Sequence, residues 1–195
     1  MTRQGVRRLC IGGVVWTSLL VAPLAWAASP SSRSAPVIDD APFGRFGRSI
    51  TARFLVRATP QEAYEVLTDH ERMAAYMPMV EEAAVVSRSP GRAVVRFRVR
   101  YLHWFDITEV DERTFEPPSR IRWHATEGPL RVSDGSWTFI PASGGTLVTY
   151  QTDVDPGVPL PSVLTGMLLR QGLPAFLDAV RLRIESGGKW RRPVD

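Results

Sequence analysis

The chain has 195 residues, 44% hydrophobic and 23% charged, a globular composition with enough apolar content for a core. Its formal charge of +4 comes from 24 bases and 20 acids, but three of the bases and none of the acids fall within residues 1–28. The remainder carries 21 bases against 20 acids, a net of +1, which removes the electrostatic case for nucleic-acid binding.

The N-terminus carries Arg3, Arg7 and Arg8, then an uncharged stretch, residues 9–28, ending in Ala25-Trp26-Ala27-Ala28. Basic, apolar and small-residue segments in that order are the layout of a secretory signal peptide, assigned to residues 1–28. Gly12, Gly13, Thr17, Ser18 and Pro23 dilute the apolar run, which argues for cleavage over retention as an anchor. The expectation is export, to the periplasm of a double-membrane bacterium and otherwise to the medium. Arg7-Arg8 outlines a twin-arginine signal, with the general route as the alternative. The only cysteine, Cys10, lies in this stretch, so the exported chain has no disulfide, thiol nucleophile or Cys-ligated metal.

Residues 29–48 are rich in Ser, Pro, Gly and Ala and read as a linker of disordered-chain composition, followed by one domain, 49–187, and a tail, 188–195. Within the domain, residues 49–59 read as a strand. Thr59-Pro60-Gln61-Glu62 then opens a helix, with Thr59 as cap, Pro60 in the first turn and Glu62 completing a capping box. A second short helix covers 71–76 and stops near Pro78; His70, in the loop between the two, is expected to face solvent. Strands follow at 80–87, 92–101, 104–114, 120–126, 136–140 and 146–154. In 92–101, Ala93, Val95, Phe97, Val99 and Tyr101 alternate with Arg96, Arg98 and Arg100, the pattern of a half-buried antiparallel strand with a solvated arginine row. A Pro-rich loop, 155–161, leads into a long helix, 162–186, with an apolar stripe of Leu173, Phe176, Leu177, Val180 and Ile184. Pro174 lacks an N–H for the carbonyl four residues back, so a kink or break is expected near Leu173. One antiparallel sheet of about seven strands against one amphipathic helix is an α+β two-layer domain.

That order resembles the START-like (SRPBCC) superfamily, in which a curved antiparallel sheet grips a C-terminal helix. Residues 66–78, Val-Leu-Thr-Asp-His-Glu-Arg-Met-Ala-Ala-Tyr-Met-Pro, look like the helix-loop-helix of its polyketide cyclase/dehydrase and coenzyme Q-binding branch. Residues 155–161, Asp-Pro-Gly-Val-Pro-Leu-Pro, with the helix after them, are similar to the stretch before the last helix of START lipid-transfer domains. The resemblance implies an internal apolar cavity entered near that loop. Compatible wall residues are Phe97, Tyr101, Trp123, Trp137, Phe139 and Tyr150 on the sheet, and Met167, Leu168, Phe176 and Val180 on the helix; each is also a plain core residue by pattern. Asp155, Pro156, Gly157, Pro161, Gly172 and Pro174 are the candidate gate, because Gly172 and Pro174 ease bending.

The partner so implied is a hydrophobic small molecule: a lipid, quinone or sterol-like compound, carried without catalysis. Two other readings stay open. A cyclase/dehydrase-like enzyme would move protons with polar cavity groups, for which His103 with Asp106 or His124 with Glu127 are the pairs available, although regular strands would aim each pair to opposite faces. An interaction module would use Trp190 and its neighbouring bases on an anionic membrane surface. Three histidines, without metal-ligand spacing, give no metal site, and no Gly-rich phosphate loop is present, so no cofactor is expected.

Overall fold

In the computed structural model, which describes residues 35–101 and 105–193, the alternating segments form one antiparallel sheet. Its strands are β1 (Val37–Phe43), β2 (Gly47–Val56), β3 (Val80–Ser89), β4 (Arg92–Tyr101), β5 (Phe105–Glu116), β6 (Arg120–Glu127), β7 (Val132–Ala142) and β8 (Gly145–Asp155). Their order across the sheet is β1-β2-β8-β7-β6-β5-β4-β3, so β3 to β8 form a meander and β2 closes on β8. Hairpins supply every pairing within the meander, as short turns between alternating segments require. The helix-grip α+β architecture expected from the sequence is the one observed, with eight strands rather than about seven.

The additional strand corrects the linker expected over residues 29–48. β1 pairs with β2 from Val37 opposite Arg53 to Phe43 opposite Gly47. Arg53–Asp39 and Arg48–Asp40 ion pairs, each 3.1 Å, cross that register. β1 lies at the sheet edge and is mostly exposed, so no buried face marked it in the sequence; backbone pairing is what makes it a strand. Residues 1–28 lie outside the described residues, which belong to a unit spanning 34–195.

The outer face of β4 is the solvated one. Arg98 pairs with Glu82, Arg100 with Asp106 and Glu81, and Arg92 with Glu112, while Ala93, Val95 and Phe97 are buried on the other side.

Helix α1 (Pro60–Thr68) starts at the expected capping box: the Glu62 carboxylate accepts from the Thr59 N–H at 2.7 Å, and the Glu62 N–H donates to the Thr59 hydroxyl at 3.2 Å. Ala63, Tyr64 and Leu67 are its buried side. A 3₁₀ turn, His70–Ala75, follows and buries His70 and Met73. The expectation that His70 faces solvent is therefore wrong: it is 1% exposed and its ring lies 5.8 Å from that of Phe115. The turn lies down against β3, and that tertiary contact overrides the polar character of the residue.

The C-terminal helical stretch has three parts. α2 (Ser162–Met167) runs into a widened π turn, Leu168–Gly172, and then α3 (Leu173–Glu185). The Leu173 N–H reaches the Leu168 carbonyl, five residues back. Pro174 has no N–H to continue the regular ladder, so the irregularity expected near Leu173 takes this form. α3 inserts Leu177, Val180 and Ile184 into the core. Arg183 lies over the Tyr76 ring and donates to the Trp190 carbonyl at 2.7 Å. Gly187 and Gly188, both at positive φ, reverse the chain. The Arg192 N–H then meets the Ala75 carbonyl at 3.1 Å, and Trp190 packs on the core. The described part of the tail is thus docked, with Trp190 partly buried against the core.

Burial, with repulsion from Arg113 and Arg88, lowers the His70 imidazole to about 3. The folded protein holds it neutral, whereas the unfolded chain protonates below the ordinary value of about 6.5. Its contribution to stability is complete above that value and is lost as pH falls toward 3. In urea titrations at several pH values, wild type is expected to lose up to about 1.4 kcal/mol more per pH unit over that window than His70→Leu.

Candidate functional site

The concave face of the sheet does not close completely on the helix. Between them lies a cavity of about 320 Å³, lined mainly by apolar side chains from β2, β4 to β8, the 78–80 segment and the stretch 156–176. Its central wall is aromatic. Trp123 stacks on Tyr150 at 5.7 Å and 22°, Trp137 meets Tyr150 at 4.6 Å, and Phe176 of α3 reaches both Trp137 (6.0 Å) and Tyr150 (5.6 Å). Tilted and offset contacts at these separations suit aromatic quadrupoles and hold the rings without filling the space between sheet and helix.

Gly135 makes this wall possible. It stands opposite Trp123 in the β6–β7 register, and the indole lies across it. A Cβ at Gly135 would fall 2.2 Å from Trp123 Cζ2 and 2.4 Å from the Gln151 carbonyl oxygen. Only glycine permits that approach.

One wall is charged. β5 directs Ile107, Glu109, Asp111 and Arg113 into the cavity. Arg113 donates to Asp111 at 3.0 Å, both residues being buried. Its guanidinium lies between two rings, 4.7 Å from the centre of Phe97 and 5.6 Å from that of Trp123. The Ser133 hydroxyl donates to Glu109 at 3.1 Å. Burial, followed by the Asp111 carboxylate beside it, pushes Glu109 up to about 8, so it is largely protonated at neutral pH. A shift in the β5–β6 register at Val110 and Asp111 places Thr126 as an extra residue, its hydroxyl donating to the Val110 carbonyl at 3.1 Å.

Of the residues expected to form the cavity, Phe97, Trp123, Trp137, Tyr150, Leu168 and Phe176 line it. Phe139, Val180 and Met167 do not. Phe139 packs edge-on against Tyr64 and Val180 is wholly buried in the core, because α1 and α3 cover those positions. Met167 is outside the lining to which its neighbour Leu168 belongs. The side chain of Tyr101 lies outside the described residues.

Of the gate residues, Pro156 and Gly172 border the cavity, while Gly157, Pro161 and Pro174 do not line it. Asp155 fixes the loop base: its carboxylate accepts from the Gly157 N–H at 2.7 Å and pairs with Arg131, and these contacts hold it below the usual carboxylate range. Beyond it, Val158, Leu160 and Val163 are exposed.

Of the histidine pairs considered from the sequence, His124 with Glu127 is not assembled. His103 lies outside the described residues, and Asp106 is bound to Arg100 on the outer face. His124 is exposed and meets Asp134 at 2.6 Å rather than Glu127. The polar groups that do face the cavity, Glu109, Asp111 and Arg113, escaped sequence reasoning. Their signal was present: Ile107, Glu109, Asp111, Arg113 and Phe115 occupy alternate positions, but the face was not assigned because charge ordinarily marks the solvent side. Among the described residues, no cluster of His, Cys, Asp and Glu is arranged to hold a metal ion.

Residues 56–181 match the family model described as polyketide cyclase / dehydrase and lipid transport. The chain belongs to that family. Solved structures of similar fold include the Zhui aromatase/cyclase from Streptomyces sp. R1128, at 21% identity and a TM-score of 0.61 over 71% of this chain and 94% of that one. A STAR-related lipid transfer protein from Xanthomonas axonopodis gives 19% and 0.61 over 75% and 98%. A START superfamily protein from Mycobacterium smegmatis gives 17% and 0.62 over 71% and 97%. Among curated proteins, none matches the sequence. The polyketide cyclase/dehydrase and lipid transport family thus supplies a hydrophobic-ligand-binding fold, within which both lipid transfer and cyclase roles occur.

Gly135→Ala is expected to displace Trp123 from Tyr150. Overpacking at such a site costs about 1–3 kcal/mol, read as a lower midpoint of thermal unfolding together with a changed near-ultraviolet circular dichroism signal from the tryptophans.

Proposed function

We propose that this member of the family is an exported carrier that binds a hydrophobic small molecule in the cavity and releases it unchanged. The cavity itself carries the reading: about 320 Å³ of space walled by Trp123, Trp137, Tyr150 and Phe176 is costly to leave unfilled and suits an apolar ligand. Expulsion of water from apolar walls supplies the affinity, and the β5 polar groups set orientation. Entry is past the loop 155–161 and the segment up to Gly172. No residue of the π turn is buried, and Val158, Leu160 and Val163 offer an apolar tip for transient contact with a lipid surface while the ligand passes. Export follows from the N-terminal layout, to the periplasm where a second membrane exists.

Native mass spectrometry of the protein purified from its exported compartment, followed by organic extraction, tests this. The expected result is a chain lacking residues 1–28 with one apolar molecule bound, and loss of that molecule in Trp137→Glu. A folded, empty protein that refuses a panel of lipids and quinones would sink the carrier reading; a chain retaining its N-terminus would sink export.

One observation favours a second reading. Glu109 beside Asp111 is a cavity carboxyl that can exchange a proton near neutral pH, which a cyclase/dehydrase-like enzyme requires. Under that reading Glu109→Gln loses turnover of a cyclisable polyketide by roughly a hundredfold or more and still binds it. Under the carrier reading no conversion occurs in either protein.

A further inference from the structure

Glu109 and Asp111 share the inner face of β5, and both line the cavity. One oxygen of each is accounted for: Glu109 accepts from the Ser133 hydroxyl, and Asp111 accepts from Arg113 Nη2. Glu109 Oε2 and Asp111 Oδ1 are buried and receive no N–H or further hydroxyl. The two side chains are hydrogen-bonded to each other, and two carboxyl groups share a hydrogen bond only when one of them holds a proton. Asp111 is ion-paired with Arg113, so the proton resides on Glu109, which donates to Asp111. With that proton the Glu109–Asp111–Arg113 wall is neutral. Without it the wall sets one uncompensated negative charge against a mainly apolar chamber.

The surroundings of Glu109 give that charge little relief. Arg113 is held by Asp111 and by the faces of Phe97 and Trp123, and its attraction for Glu109 is outweighed by burial and by Asp111. On β4, Phe97 stands opposite Glu109 in register. After β6, Gly128 lies against the Glu109 stem, while Glu127 is exposed and outside the lining. β7 brings the Ser133 hydroxyl, and β8 brings Tyr150 and Thr152, whose hydroxyl donates to the Asp134 carbonyl at 2.8 Å. Arg48 of β2 is paired with Asp40. The 78–80 segment and the stretch 156–176 contribute no charged residue to the lining.

Resting on the carrier reading, we propose that loading is coupled to a proton: an uncharged apolar ligand binds tightly while Glu109 holds its proton and is released as that proton leaves. The ligand displaces the cavity water that would otherwise solvate the Glu109 carboxylate, so occupancy makes ionisation costlier still. In the empty cavity Glu109 gives up its proton around pH 8, and in the filled cavity it holds on to higher pH. A group raised in this way by a ligand leaves affinity complete below its free value and lowers it as pH rises above. Binding on the alkaline side therefore takes up a proton from solvent, and unloading returns it.

The test uses N-phenyl-1-naphthylamine, a fluorescent probe uncharged throughout the range, titrated into the stripped wild-type protein from about pH 6 to about pH 9.5 with folding followed by circular dichroism. The dissociation constant is expected to stay level up to neutral pH and to rise above about 8, by up to about tenfold per pH unit. Calorimetry at about pH 9 in two buffers of different ionisation enthalpy is expected to show uptake approaching about one proton per probe bound. Glu109→Gln binds the probe with a level dissociation constant and no proton uptake. Ser133→Ala, which removes a hydroxyl that favours the carboxylate, moves the onset to higher pH. A level dissociation constant in wild type would overturn the coupling and leave the carrier reading standing. So would the wild-type pH dependence persisting in a folded Glu109→Gln or, should that variant not fold, an onset unmoved in Ser133→Ala. No binding by wild type at any pH would remove the carrier reading and the coupling with it.

Discussion

The architecture depends on how the inner sheet face meets α3. Trp137, Tyr150 and Phe176 touch at centroid separations of 4.6–6.0 Å, which fixes the distance between the two layers at the width of aromatic rings. Aliphatic side chains would let the helix settle onto the sheet and close the space. The indole of Trp123 extends the wall along β6, and it can lie flat only because Gly135 offers no Cβ beneath it. Beyond this contact, toward α1, packing is continuous: Phe139 with Tyr64, and Leu177, Val180 and Ile184 of α3 with the core. One end of the sheet–helix sandwich is therefore a core and the other a chamber, and the aromatic contact is the boundary between them.

The charged wall of β5 follows from the same geometry. In a sheet whose inner face is fully packed, Glu109, Asp111 and Arg113 would be expelled, since isolated buried ions are far too costly. Facing a chamber, they keep one another. Arg113 is neutralised by Asp111 and covered by the faces of Phe97 and Trp123, while Glu109 avoids the remaining penalty by keeping its proton. A buried ion pair is a weak source of stability, so packing energy alone does not account for its presence.

The fold was legible because its elements obey local rules. The Thr59–Glu62 capping box, the alternation of β4 and the stripe of α3 each gave an element whose type needed no tertiary information. What was not legible depends on partners distant in sequence. β1 is a strand only because β2 pairs with it, through seven residue pairs from Val37 to Phe43. His70 is buried only because its turn packs against β3 and Phe115. In the cavity, pattern identified inward positions but could not separate Trp137, which faces the chamber, from Phe139, two residues on, which faces α1. The charged trio was missed for the opposite reason: a rule that sends charge to solvent is right for Arg96 and Arg98 on β4 and wrong for the neighbouring strand.

The helical segment shows how one sequence feature serves both halves of the sandwich. Pro174 breaks the ladder between the part that closes the chamber and the part that belongs to the core. C-terminal to it, Leu177, Val180 and Ile184 are each at most 1% exposed, and the docked tail adds Arg183 to the Trp190 carbonyl. N-terminal to it, the π turn buries nothing fully and α2 is only six residues long, too short to be stable by itself. Local opening costs least where few apolar contacts are lost. Under the proposed carrier reading, a ligand entering past the N-terminal part would therefore not require loosening the core.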